Sequence, residues 1–134
     1  ADDYVRDFIN SADKAQVYQV RNFMQVPSSL VKLQEGANTA LALMRANDVS
    51  SAYVVDKRMG FVGVLPLDAA FRVRAGELSF KEALVTDVPT TTADTQISDL
   101  IPTASQTKYP IAVLDEGGKL VGIISKARIL TSLA

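Results

Sequence analysis

At 134 residues, 48% of them hydrophobic, the chain holds enough apolar side chain for one compact unit or two very small ones. A formal net charge of −1 lacks the basic excess of a protein that coats nucleic acid. Neither cysteine nor histidine occurs, so disulfides are excluded, a metal would find only carboxylates, and no metal site or catalytic residue is expected. The lack of cysteine fits a reducing compartment. No apolar run approaches the roughly 18 to 20 residues of a membrane helix. The acidic start Ala1-Asp2-Asp3-Tyr4 does not resemble a signal peptide, and with no initial methionine the chain is expected to be a fragment.

In chain order, Tyr4, Val5, Phe8 and Ile9 form an apolar stripe at helical spacing, suited to packing on a neighbouring surface. A short strand is expected over Leu30–Leu33. A helix follows over Thr39–Ala46, with Ala40, Leu43 and Met44 on one face and Asn38 or Thr39 as its N-cap. Two apolar, β-branched runs come next, Ser51–Asp56 and Phe61–Leu65, and then a helix over Leu67–Ala75 stopped by Gly76. Ser79–Leu84 reads as a short linking helix. The same order then recurs: a strand near Thr90–Thr92, a helix over Ile97–Ser105 that Pro102 should kink or end early, two apolar strands around the turn Asp115-Glu-Gly-Gly-Lys119, and a helix over Lys126–Leu133. The strands are apolar throughout and do not alternate, which implies burial on both faces.

The recurrence is a repeat. Ser51-Ala-Tyr-Val-Val-Asp56 aligns with Pro110-Ile-Ala-Val-Leu-Asp115, and Phe61-Val-Gly-Val-Leu65 with Leu120-Val-Gly-Ile-Ile124. Both pairs share one offset, since 115 minus 56 and 122 minus 63 each give 59. The expected class is α/β (α+β): two β-α-β-β-α repeats related by pseudo-twofold symmetry, over residues 21–78 and 79–134.

A tandem unit of this order, with a strand ending in Asp, a turn, and a strand carrying apolar-Val-Gly-apolar-apolar before a helix, resembles the CBS domain. The leading Asp3-Tyr-Val-Arg-Asp-Phe8 resembles the end of the ATPase domain in the ATP-binding subunit of glycine betaine/L-proline ABC transporters, where a CBS pair follows directly. The resemblance implies that residues 1–20 are a linker helix from a preceding ATPase domain. It implies a regulatory module that responds to osmotic, ionic or nucleotide signals. The implied setting is cytoplasmic, at the inner face of the membrane, with the transporter permease and a second copy of the chain as partners and no nucleic acid. The chain has no G-x-x-x-x-G-K-[ST] loop, so it is not itself expected to hydrolyse ATP. The alternatives are an adenine-nucleotide sensor attached to another enzyme or channel, and a passive dimerisation module.

CBS pairs often hold adenine nucleotides in clefts with the motif Gly-apolar-apolar-[Ser/Thr]-x-x-Asp, so an adenine nucleotide is the one ligand implied. The second repeat reads Gly122-Ile-Ile124-Ser125-Lys126-Ala-Arg128, with Arg128 in place of the ribose-binding aspartate. Lys108, Pro110 and Ile111 complete this candidate cleft. The first repeat reads Gly63-Val-Leu65-Pro66-Leu-Asp68-Ala69, without the hydroxyl, and with Asp68 one position early. Cations and a helix N-terminus make the second cleft the better anion pocket. Pro66 removes a donor and Asp68 repels phosphate in the first. Each residue also has a plain structural reading: Ser125 as N-cap, Pro66 as a first-turn proline, Gly63 and Gly122 as close-packing positions, Lys126 and Arg128 as solvated charges, Asp56 and Asp115 as turn starters.

Overall fold

The computed structural model describes residues 18–133. The Tyr4–Ile9 stripe and most of the linker helix expected over 1–20 fall outside them. Where that helix would end, Gln19 is extended and Val20–Asn22 form a single 3-10 turn.

The described residues fall into two compact units. One contains Val26–Val88 with Leu114–Val121; the other contains the residues up to Gln25, Pro89–Val113, and the chain from Gly122 on. In the first, β1 (Leu30–Lys32) lies parallel to β2 (Ser51–Val55), and β2 pairs antiparallel with β3 (Phe61–Pro66), in the order β1-β2-β3. Helix α1 (Gly36–Asn47) connects β1 to β2, and α2 (Leu67–Arg74) follows β3. Ala37, Ala40, Leu41 and Met44 recur at i, i+3, i+4 and i+7 on the buried face of α1, and the last three pack with Val31, Val54, Leu65 and Ala70. The one-turn helix α3 (Phe80–Ala83) has a capping box: Glu82 N donates to Ser79 Oγ, and Ser79 N to Glu82 Oε1. Hydrogen bonding of the Glu82 carboxyl to Ser79, chiefly to its side chain and also to its backbone N–H, holds that carboxyl below its ordinary value.

Helix α1 begins earlier than the expected Thr39, so Asn38 and Thr39 are not its N-cap; both lie within its first turn. A 3-10 turn over Leu33–Glu35 leads in, and Lys32 N donates to Glu35 Oε1. Gly36, at φ 82°, lets the chain turn directly from one helix to the other.

In the second unit β4 (Thr90–Thr91) is parallel to β5 (Ile111–Leu114), and the sheet order is β4-β5-β6 with β6 at Leu120–Ile124. The connection from β4 is broken, as Pro102 requires. A 3-10 turn over Ile97–Leu100 passes into the single turn α4 (Ile101–Ala104), and Pro102 sits in the first turn of α4, where its missing N–H is harmless. Helix α5 (Lys126–Leu133) follows β6. Ile97, Leu100, Ile111, Val113, Ile124 and Ile129 form this core.

The two hairpin turns are built alike. Asp56 Oδ1 accepts from Arg58 N at 2.9 Å and Gly60 N at 2.8 Å; Asp115 Oδ1 accepts from Gly117 N and Lys119 N, both at 2.9 Å. Each turn needs one residue at positive φ: Gly118 at 81° in one, Met59 at 67° in the other. Within the first unit the turns also pair with each other. Phe61 N donates to Gly118 O at 3.1 Å and Leu120 N to Met59 O at 2.9 Å.

A second matched feature flanks each strand glycine. Val64 and Val85 exchange both backbone hydrogen bonds, at 3.0 and 2.8 Å. Ile123 and Gln25 do the same, at 2.8 and 2.9 Å. A Cβ on Gly63 would stand 2.9 Å from Val85 O, and one on Gly122 would stand 3.2 Å from Met24 Sδ and 3.3 Å from Gln25 O. Both glycines are therefore close-approach positions.

Met59→Gly should raise stability by about 0.5–1 kcal/mol, because an L side chain in the left-handed region is strained and glycine is not. Denaturant midpoints check it. Gly63→Ala should cost about 1–3 kcal/mol and Gly122→Ala less, because the first clash is with a fixed backbone oxygen and the tightest contact in the second is with a flexible thioether. Equal losses in thermal unfolding would contradict this account.

Candidate functional site

The second repeat brings Lys108, Pro110, Ser125 and Lys126 to one cleft of about 470 Å³, with Ser105–Tyr109 forming most of its other wall. Thr107 shapes that wall: its hydroxyl donates to Tyr109 O at 3.0 Å and accepts from Tyr109 N at 3.3 Å. The cleft opens at the N-terminus of α5, so backbone N–H groups and two lysines favour negative charge there. Ser125 Oγ accepts from Arg128 N at 3.1 Å, the expected cap. Its hydroxyl hydrogen remains available to a ligand.

Four other candidates sit elsewhere. Ile111 and Ile124 are fully buried in the core and contribute packing. Gly122 faces Met24 and Gln25. Arg128 does not line the cleft: its Nε donates to Phe23 O at 3.0 Å, and its guanidinium lies 5.7 Å from the centre of the Phe23 ring. That pairing gives an otherwise solvated cation a fixed partner.

The first-repeat candidates are placed differently. Leu65 is buried and Gly63 faces Val85. Pro66 is the N-cap of α2 in extended conformation, one position before the first turn, and Asp68 lies within that turn at the positive end of the dipole. This unit has a groove of about 540 Å³ between α1 and α2, floored by Leu41, Met44, Leu67 and Phe71 and edged by Arg45 and Arg74. The Arg74 guanidinium stacks 4.8 Å from the Phe71 ring centre. The second unit has a smaller counterpart of about 180 Å³ beside α4 and α5, lined by Ile101, Ala104, Ile129, Leu130 and Leu133. Phe71 and Leu130 stand 59 residues apart, at one repeat position, and are 44% and 65% exposed.

Sequence reasoning missed the lead-in segment Tyr18–Gln25. Ile97 N donates to Tyr18 O, Val20 N to Thr95 O and Arg21 N to Ala93 O, all at 2.9–3.0 Å. Val20 is completely buried, and Tyr18 and Phe23 meet edge to face with centroids 5.2 Å apart. The receiving loop is itself ordered: Thr92 Oγ1 donates to Asp94 Oδ1, which holds the Asp94 carboxyl below its ordinary value, with its own backbone N–H and nearby Arg21 adding to the effect. Val20 and Phe23 were the available signal, but they lie outside any periodic run.

Among the described residues no cluster of acidic side chains suits a metal ion, and no helix is long and apolar enough to cross a membrane.

Residues 80–134 match the CBS domain family model. The whole chain aligns at 36% identity with the glycine betaine/carnitine transport ATP-binding protein GbuA of Listeria monocytogenes, covering 34% of that protein. It aligns at 28% identity with the glycine betaine transport ATP-binding protein OpuAA of Bacillus subtilis, covering 32%. The chain thus spans about a third of the length of these relatives. Among solved structures, OpuCA of Staphylococcus aureus superposes with a TM-score of 0.72 at 23% identity, over 81% of this chain and 92% of that one. CBSX2 in complex with AMP superposes with a TM-score of 0.71 at 22% identity, over 86% and 95%. Two three-stranded sheets, two Asp-capped hairpins at one offset and these likenesses agree: the chain is a CBS-domain pair, similar to the C-terminal region of glycine betaine transporter ATP-binding subunits.

Proposed function

We propose that this CBS pair is the regulatory module of the ATP-binding subunit of an osmoprotectant transporter of the glycine betaine/L-proline class, acting in the cytoplasm beside the permease. The observation that carries the reading is alignment of the whole chain, lead-in segment included, with two betaine transport ATP-binding proteins. The module modulates ATP hydrolysis and does not perform it. In the full-length protein, deleting residues 18–134 should leave ATP hydrolysis intact and remove its dependence on ionic strength or osmolality. An upstream region encoding a dehydrogenase or a channel instead of an ATPase would overturn the reading.

The second-repeat cleft is the ligand site of this reading. CBSX2 is described in complex with AMP, and Lys108, Lys126 and the Ser125 hydroxyl supply the chemistry for a phosphate. Calorimetry with AMP, ATP and cyclic di-AMP tests it. Lys126→Ala or Lys108→Ala should weaken binding about tenfold, the effect of one charge-assisted hydrogen bond, whereas Asp68→Asn should leave it unchanged. No heat with any of the three would make the module a passive one.

The reading also includes a homodimer. The grooves holding Phe71 and Leu130 leave large apolar side chains exposed at one repeat position, and a second copy of the chain offers the same surface in return. Sedimentation should give a dimer that Phe71→Glu and Leu130→Glu each convert to monomer. A wild-type monomer at high concentration would refute the dimer.

A further inference from the structure

The segment Tyr18–Gln25 lies on the second-repeat unit as a strap, and its attachment is uneven. At one end three backbone hydrogen bonds join it to the stretch Ala93–Ile97. At the other end the paired hydrogen bonds between Gln25 and Ile123 hold it to β6. Only Val20 is buried; Arg21, Asn22 and Gln25 are exposed, and Phe23 and Met24 are half-buried. Five backbone hydrogen bonds, the Arg128 contact and one fully buried side chain hold this short exposed segment to the rest of the unit, fewer anchors than a core strand has, which is the character of segments that open locally.

Midway between the two ends stands Arg128. Its Nε donates to Phe23 O, and its guanidinium lies over the Phe23 ring. Its own backbone N–H is held by Ser125 Oγ, one of the groups lining the cleft. The contact chain is therefore short: cleft, Ser125, first turn of α5, Arg128, Phe23, strap. We propose that Arg128 is the latch of this strap, a positioning residue through which the state of the Ser125–Lys126 cleft sets how firmly the chain at Tyr18–Gln25 is docked. A group that engages the Ser125 hydroxyl, or shifts the first turn of α5, moves the latch. The change reaches Tyr18. The coupling rests on the second-repeat cleft being the proposed ligand site; the Arg128 latch rests on these contacts and needs no transporter.

Hydrogen exchange on the full 134-residue chain tests it. In Arg128→Ala the amides of Val20, Arg21, Gln25 and Ile123 should exchange about tenfold faster, while those of Ala112 and Val113 in β5 keep their rates. Arg128→Lys keeps the charge but loses the planar Nε donor, and should show most of the same effect. Ser125→Ala should raise the strap rates as well, by a smaller factor. Strap amides unmoved in Arg128→Ala would overturn the latch, and so would an equal rise in β5, which would show only general loosening. Strap amides unmoved in Ser125→Ala would overturn the coupling to the cleft.

Discussion

Gly63 and Gly122 each leave room for another segment of chain whose atoms stand about 3 Å from where a Cβ would be. Val85 O at Gly63, and Gln25 O with Met24 at Gly122, occupy the volume that a Cβ would take. The exchanged hydrogen bonds of Val64 with Val85 and of Ile123 with Gln25 depend on that approach. Without them the strand carrying the glycine would present unpaired N–H and C=O groups, costly where Val64 and Ile123 are buried. The bridge also decides which chain segments belong together. Tyr18–Gln25 become part of the second-repeat unit, although about seventy residues separate them in sequence from Gln96, with which Gln19 pairs.

The repeats share turn chemistry and diverge where function is proposed. Both hairpins use an aspartate carboxylate to gather two backbone donors, so Asp56 and Asp115 are structural residues. The helix between the first and second strands is long and uniform in one repeat and split by Pro102 in the other. The segment after the split, Ser105–Tyr109, then forms a wall of the second cleft. Lysines meet a helix N-terminus there, and the first repeat offers Pro66 and Asp68 at the corresponding turn. The difference in charge follows from the residues themselves, and it is the reason the proposed ligand site is the second cleft.

Arg128 shows how a residue can be placed correctly and read for a different contact. Sequence position puts it in the first turn after Ser125, and that is where it stands. Its side chain reaches the carbonyl of Phe23, 105 residues away, a partner that no local pattern announces. The capping of Ser125, by contrast, is local, within three residues, and was legible. The same division separates the α1 start from the α5 start. Lys126 follows a serine cap after a strand, whereas the beginning of α1 is set by a 3-10 turn and a positive-φ glycine.

What the sequence by itself determined is everything of short range or fixed period. The offset of 59, the two Asp-started turns, the non-alternating buried strands, the break at Pro102 and the CBS likeness are all read from neighbouring residues. Their physics lies in side-chain spacing, turn conformation and the missing N–H of proline. Tertiary structure decided the lead-in bridges, the burial of Val20, the Phe23–Arg128 contact and the removal of Gly122, Ile111 and Ile124 from the cleft surface. These depend on which distant backbones come within hydrogen-bonding reach, and a single chain carries no periodic signal for that.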